Sequence, residues 1–510
     1  MPTRLVNNEK GNGLDVDVCL VSPASRANAP YPPLGLMYVA SYLEKQGIKV
    51  RIVDLKVDHY GDLKEFQRKR VEDEIVNEVE AIQPRLVGIT CLVTEVSEVI
   101  NLGGRIKKRL KETKIMIGGI HPTMYPEDLL FSGSPVDYVI MGEGEQTATE
   151  LAQAVIKSDH QADISGIARF DGAEVYKTMP RPVIKNLDEI PFPLYQKVNM
   201  NYYLRPNIYA IRNMFLSTVF IFTSRGCPYL CSFCVNKNIH KIMGSHIPVR
   251  SRSVKNVVDE IEYLANEYGI DAFYIYDDTF CIREEYTLDF CRELRRRRLN
   301  LIWAAETRVN LISEEAIKAM KSSGCIQLDF GVESGSPNIL RRLRKGITVD
   351  QVRKTFALCH KLGMRAMANF MFNTPGETEE DIQKTLALAR EIDASYYNFS
   401  LMTPFPGTDI YEQVEPKLRT DEYSLLGGSI RKIADPRFKF AKHDLDLNKI
   451  LHNANRSFNS LTKRAAFIFI PRYLWQIFNS RKKLDYVKGL WQLCKRVVEY
   501  FLEKDAQQLR

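Results

Sequence analysis

Residues 223–236, TSRGCPYLCSFCVN, place Cys227, Cys231 and Cys234 within eight positions, while the other seven cysteines are scattered along the chain. The stretch follows the apolar run STVFIFT, which reads as a strand, so the three thiols occupy a loop at a strand's carboxyl end. A structural zinc site takes four ligands and favours paired Cys-x-x-Cys elements; His240 could complete a Cys3His set. An iron–sulfur cube suits three thiols on one loop better, because each thiolate holds one iron and the fourth iron stays open.

Downstream of the cysteines, apolar runs alternate with amphipathic ones. AFYIYDD, LIWAAE, CIQLDFGVE, MRAMANFMF and YYNFSLM read as strands reached through helical stretches such as SVKNVVDEIEYLANEYG. Together with STVFIFT they make six strands in series over 216–415, expected to form a partial barrel whose site is built by loops at the strand tops. Upstream, residues 1–160 alternate VDVCLV, IKVRIVD, RLVGITC, KIMIGG and DYVIMGEGE with helices, the pattern of a doubly wound parallel sheet that binds ligands at its carboxyl ends. Residues 161–215 break this rhythm and, with the proline-punctuated LDEIPFPLY, read as a linker. From 416 to 510 the chain is polar, then helical and basic.

A chain of 510 residues has room for about three domains. Its 45% hydrophobic and 26% charged residues describe a globular enzyme. Ten cysteines are too sparse for a disulfide scaffold and the start lacks the apolar stretch of a signal peptide, which points to the reducing cytoplasm. The net charge of +8 is spread out except near the C-terminus, so nucleic acid is not an expected partner.

CPYLCSFC, on a loop after the first of six barrel strands and with aromatic Phe233 before the last cysteine, resembles the signature of radical S-adenosylmethionine (SAM) enzymes. The resemblance covers about 195 to 415. It implies a 4Fe-4S cluster on Cys227, Cys231 and Cys234, with SAM chelated to the open iron and cleaved to a 5′-deoxyadenosyl radical by an electron from an external flavodoxin- or ferredoxin-type donor. It also implies SAM contacts from Tyr276, Asp277 and Asp278 at the second strand end, from Arg308, and from Glu333 and Ser334. Read alone, Arg308 and Glu333 could equally be a rim salt bridge. NTPGET (373–378) and LMTPFPGT resemble the exits of the fifth and sixth strands, or ordinary loop punctuation.

In the N-terminal part, YPPLGLMYVASYLEKQG, IGGIHPT and the closing GEGE resemble the cobalamin-binding domain of one large branch of this family. The resemblance implies cobalamin contacts from Gly118, Gly119, His121, Gly142 and Glu143. Glycines at a strand end would also let a bulky ligand approach the backbone closely. The Asp-x-His-x-x-Gly motif that puts a histidine beneath cobalt is missing, since Asp54 and Asp58 precede His59 at other spacings. A simple nucleotide-binding Rossmann domain is the plainer reading.

Residues 463–504 carry Val487, Leu490, Trp491, Cys494, Val497, Val498 and Phe501 at helical spacing beside Arg481-Lys482-Lys483, Lys488, Lys495 and Arg496. No apolar run there is long enough to span a bilayer. The segment reads as a helix docked on the barrel with a solvated basic back, or as one in peripheral contact with anionic membrane. The expected function is C-methylation of an unactivated carbon in a small-molecule or lipid-like substrate. A radical oxidative cyclase or ring-forming enzyme with the same cofactors, on a tetrapyrrole or lipid, is the alternative. A methylthiotransferase needs three more upstream cluster cysteines, whereas only Cys19 and Cys91 precede Cys227. A non-catalytic cobalamin sensor would not need the cluster.

Overall fold

The computed structural model describes residues 5–6, 15–25, 27–28, 31–57, 61–159, 162–244, 248–429, 431–433, 435–460 and 470–487. His59, and the part of the C-terminal amphipathic pattern from Lys488 to Phe501, lie outside the described residues.

The N-terminal sheet contains β1 (Val18–Val21), β2 (Val50–Val53), β3 (Leu86–Thr90), β4 (Lys114–Gly118), β5 (Tyr138–Ile140), β6 (Ile167–Phe170) and β7 (Val175–Lys177). Their order is β7-β6-β5-β4-β3-β1-β2. The first five strands are mutually parallel, as their near-continuous apolar runs require for burial on both faces. Helices α1 (Leu34–Lys45) and α5 (Gly144–Lys157) pack together on one face, and α2 (Glu65–Ile82) and α3 (Val96–Arg109) on the other. The sheet is therefore doubly wound. It also continues past residue 160, because β6 pairs antiparallel with β5 and with β7, so part of the segment read as a linker is an edge hairpin.

The second sheet runs β8 (Thr218–Ile221), β9 (Ala272–Ile275), β10 (Ile302–Thr307), β11 (Cys325–Glu333), β12 (Arg365–Phe372) and β13 (Tyr396–Leu401), all parallel and in sequence order. This is the expected open six-stranded barrel. Ser253, Ser313, Thr348 and Thr378 cap the helices between the strands by accepting a backbone N–H in the first turn. One apolar core runs from the α1/α5 face through Tyr195, Tyr202 and Ile211 into the barrel, which fixes the two domains against each other.

The C-terminal residues serve both domains. Tyr411, Leu418, Tyr423 and Phe438 pack into the core over the α2/α3 face. The Leu447–Ser460 helix lies along β13, and its Asn455 and Asn459 amides pair with the open strand edge. Asn455 accepts from Phe399 N (3.1 Å) and donates to Phe399 O (2.9 Å); Asn459 does the same at Tyr397 (3.0 and 2.9 Å). Two side chains one helical turn apart thus replace a neighbouring strand. Farther on, Ser480 Oγ (2.9 Å) and Tyr486 Oη (2.8 Å) donate to buried Asp271 just before β9, at the barrel end away from the cysteines. The described part of the tail is docked there, with Leu474, Trp475, Phe478, Leu484 and Val487 exposed. Among the described residues no helix is long and apolar enough to cross a membrane.

Candidate active site

The cysteine loop leaves β8 and is gripped at once by Asp277. This buried carboxylate accepts from Thr223 N (2.6 Å), Ser224 N (3.2 Å), Ser224 Oγ (2.7 Å) and the Thr223 hydroxyl. Burial pushes Asp277 up to about 6 in spite of those four donors. Residues 224–225 pair antiparallel with 250–251, and Gly226 follows with φ +90°. A methyl group at Gly226 would stand 2.3 Å from the Pro248 carbonyl oxygen, so the turn into the cysteines admits no side chain.

Cys227 Sγ lies 3.5 Å from Thr279 Oγ1, and Cys231 Sγ lies 3.8 Å from Arg308 Nη1. The Arg308 guanidinium stacks on Tyr229 (3.6 Å) and donates to the Lys345 carbonyl, so a buried cation rests on the cysteine loop beside Cys231. Burial pushes the Cys234 thiol up to about 11, against help from the Asn236 backbone. Among the described residues no three His, Cys, Asp or Glu side chains converge as ligands of one metal ion would, His240 included. Thiols set apart along a loop fit a multi-iron cluster, in which each holds its own iron. Cys281 and Cys291 are buried away in the core, and burial raises both thiols, to about 12 and about 11.

Several motif residues tie loops together. Glu333, at φ +66°, forms a buried ion pair with Lys345 (2.5 Å), and Ser334 meets Thr385 (3.0 Å) in the packing under the Glu379–Ile392 helix. Tyr276 and Asp278 remain exposed at the end of β9. Inside the barrel, Tyr274 Oη contacts both Asp329 (2.6 Å) and Glu306 (3.3 Å). One hydroxyl can donate to only one of them; although Glu306 keeps an exposed surface, the surrounding protein strips part of its hydration and, with the neighbouring Asp329, pushes its carboxyl up to about 7. Nothing in the sequence pointed to this pair, which appears only when β10 and β11 align Glu306 with Asp329.

On the N-terminal side, Gly119 has φ +134°, and a methyl group there would meet the Cys91 carbonyl at 2.6 Å. Its missing side chain lets two strand ends touch, which gives Gly119 a packing role beside the ligand access the sequence suggests. A methyl group at Gly118 would make ordinary van der Waals contact with Ile140 at 3.7 Å. Thr123 Oγ1 donates to Gly119 O (2.8 Å) and accepts from Gly142 N (3.0 Å), joining the ends of β4 and β5. His121, buried in the short helix Ile120–Met124, pairs through Nε2 with Asp128 (2.9 Å) and lies near Tyr125 and Tyr423. Asp54 is buried beside Lys56 (3.0 Å) and accepts from Tyr203.

Glu143 faces the barrel. It pairs with Arg225 (2.9 Å) and, in a two-oxygen fork, with Arg250 (both 2.9 Å), while Glu145 takes the other end of Arg225 (2.5 Å). Against its burial, the two arginines hold Glu143 below the ordinary carboxylate range. Arg225 stands two residues before Cys227, so this latch joins the N-terminal domain directly to the cysteine loop. The sequence showed the glutamates but not their partners.

Between the domains lies a cavity of about 2190 Å³. Its walls come from the carboxyl-end loops of the first sheet (Leu92, Ile120, His121), the cysteine loop (Phe233, Cys234), β13 (Tyr396, Phe399) and the C-terminal segment. A ligand pocket is usually roughly 300–1,000 Å³, so this space exceeds what one small ligand needs.

Residues 24–152 match the B12 binding domain and residues 221–389 the radical SAM superfamily. An uncharacterized methyltransferase of Pyrococcus horikoshii is 32% identical over 383 residues, covering 75% of this chain and 78% of the relative. The anaerobic magnesium-protoporphyrin IX monomethyl ester cyclase of Rubrivivax gelatinosus is 28% identical over 409 residues, 77% of this chain and 68% of the cyclase. Among solved structures, the radical SAM methyltransferase TsrM from Kitasatospora setae shares the fold with a TM-score of 0.65 at 24% identity, over 78% of this chain and 76% of that one. The chain therefore belongs to the radical SAM superfamily, as an enzyme of the branch with an N-terminal B12-binding domain, whose cofactors are a 4Fe-4S cluster, SAM and cobalamin.

Proposed function

We propose that the protein is a cobalamin-dependent radical SAM C-methyltransferase that acts on an unactivated carbon of a small-molecule substrate. The observation that carries this reading is the single cavity walled by both the cysteine loop and the carboxyl-end loops of the cobalamin-type sheet. Cys227, Cys231 and Cys234 would hold the cluster, and the exposed Tyr276 and Asp278 would meet SAM. When bound, the cluster and SAM would supply the radical chemistry needed at an unactivated C–H bond, and cobalamin would supply the methyl group. Arg308 keeps a positive charge beside Cys231, Asp277 fixes the loop, and the Glu143 latch keeps both halves of the cavity in register. The walls bring the cysteine loop and the N-terminal sheet to one space, where positioning of the substrate would set which carbon reacts. Electrons would come from an external flavodoxin- or ferredoxin-type protein.

The cyclase among the relatives supports a second reading, oxidative ring formation. Anaerobic incubation of reconstituted protein with methyl-labelled SAM and cell extract separates the two. A labelled small molecule formed together with 5′-deoxyadenosine is expected. An unlabelled product that has lost hydrogen would mean cyclisation, and stoichiometric zinc without 5′-deoxyadenosine would end both readings. Cys227→Ala, Cys231→Ala and Cys234→Ala should each lose the cluster's iron and sulfide and all SAM cleavage, whereas Cys281→Ala and Cys291→Ala should keep both.

A further inference from the structure

The walls of the 2190 Å³ cavity differ in charge. On the N-terminal wall Arg68 pairs with Glu98 (2.9 Å) and Glu65 with Lys69 (2.9 Å), so the charges are balanced locally. On the C-terminal wall stand Arg431, Lys432 and Arg456, and none of them pairs with a carboxylate among the described residues. Glu65 is the one acidic residue among the described residues that line the cavity, and it stands on the opposite wall. Elsewhere many of this chain's arginines are matched by carboxylates, as Arg297 is by Asp259, Glu262 and Glu293. Three unmatched cations facing one concave space make a positive potential that water screens less than it would on an open surface.

Their placement is structural. Asn448 Oδ1 accepts from Ile433 N (3.1 Å), which ties the segment bearing Arg431 and Lys432 to the first turn of the Leu447–Ser460 helix. Arg456 lies eight residues beyond Asn448 on that helix, about 12 Å along its axis at 1.5 Å per residue. The same helix is anchored to β13 by Asn455 and Asn459, so Arg456 is borne on a fixed element and Arg431 and Lys432 are tied to it through Ile433. Tyr396, Phe399, Phe405 and Leu451 line the same cavity and give it an apolar stretch.

We propose that Arg431, Lys432 and Arg456 form the recognition site for an anionic group of the substrate, a phosphate, phosphonate or carboxylate, whose apolar body lies along Tyr396, Phe399, Phe405 and Leu451. This rests on the methyltransferase reading for the word substrate, but the site is defined by binding and can be tested without turnover.

The probe is dodecyl phosphate, below its micelle concentration, titrated into reconstituted, cobalamin-loaded protein by calorimetry, with dodecyltrimethylammonium as the cationic counterpart. Dodecyl phosphate should bind at least tenfold more tightly than the ammonium, and more weakly at 0.5 M salt. The triple change Arg431→Gln, Lys432→Gln, Arg456→Gln should weaken the phosphate probe at least tenfold with cobalamin and iron content unchanged. A control triple change at exposed Lys108, Lys111 and Lys354 should leave binding as it was. Equal binding of the two probes, no phosphate binding by the parent, or unaltered binding by the cavity variant would each overturn the proposal. So would loss of cobalamin from the cavity variant, since the cations would then serve the cofactor's own phosphate. Failure of methyl transfer with these binding results intact would count against the reaction and leave the site standing.

Discussion

The carboxyl-end loops of the two parallel sheets touch one another, and they are held by opposite means. In the N-terminal sheet the ties that join the ends of β3, β4 and β5 to one another are small and neutral, although Asp54 beyond β2 is a buried charge paired with Lys56: Gly119 lets its strand meet Cys91, and one threonine hydroxyl joins the ends of β4 and β5. In the barrel the ties are buried charges. Asp277 grips the cysteine loop, Glu333 pairs with Lys345, and Arg308 lies on Tyr229. A neutral tie costs little to form and can yield when a bulky cofactor enters. A buried charged tie holds only while every partner is present, which gives rigid placement at the price of desolvation.

The largest expected effect comes where the two schemes meet. Glu143→Ala would leave Arg225 and Arg250 facing each other without their shared carboxylate, and loss of one partner of a buried pair costs roughly 3–5 kcal/mol. Thermal unfolding should report that loss. Reconstituted iron should fall with it, because Arg225 leads into Cys227; an unchanged melting curve would break the contrast between the sheets.

Glu377 provides a pH test. It is buried at the exit of β12, and burial pushes its carboxyl up to about 8 even though Asn373 N donates to it (2.6 Å). A carboxyl whose folded pKa exceeds its unfolded value near 4.5 favours the fold fully below pH 4.5 and loses that contribution as pH rises to about 8. The parent protein should therefore lose on the order of 3 kcal/mol of stability through this group between pH 5 and 8. Glu377→Gln should flatten that part of the profile in denaturant titrations; an unaltered slope would show that Glu377 is ionised in the fold.

Asp277→Ala should cost about 1–3 kcal/mol by stranding buried donors at Thr223 and Ser224. It should also lower iron retained after gel filtration, with Asp277→Asn recovering part of it. The smallest effect belongs to the neutral side. Thr123→Val removes two hydrogen bonds worth about 1 kcal/mol, and cluster content should stay at the parent level. A loss of iron as large as that in Asp277→Ala would erase the distinction.

The two sheets and the cysteine loop were legible because each is written in local pattern: apolar runs of strand length, amphipathic stretches between them, and three thiols in eight residues. The division of labour among polar residues was not. Asp277, Glu143, Glu333 and Ser334 stand in motif positions at strand ends, where a side chain can turn toward a ligand or back into the protein, and the sequence does not encode which. Partners far along the chain decide it, as Arg250 does for Glu143 and Thr385 for Ser334. Glu306 was missed for a related reason: its neighbour Asp329 arrives through strand register. The tail divided in the same way: its helical spacing from Val487 onward is legible, whereas nothing local marks Tyr486 as the side chain buried on Asp271.

The asparagine pair on the Leu447–Ser460 helix bears on how the chain emerges from the ribosome. β13 ends at Leu401, and the helix that supplies Asn455 and Asn459 begins only at Leu447. At about 5–20 residues per second, translation leaves the backbone groups of Tyr397 and Phe399 without their partners for several seconds after the last strand is made. During that interval the newborn barrel presents a bare strand to any neighbouring nascent chain on the same message, the situation that favours edge-to-edge association. A stop codon anywhere between 402 and 454 would make the interval permanent, and such truncated chains are expected in the insoluble fraction even though every strand of the seven- and six-stranded sheets has been synthesised.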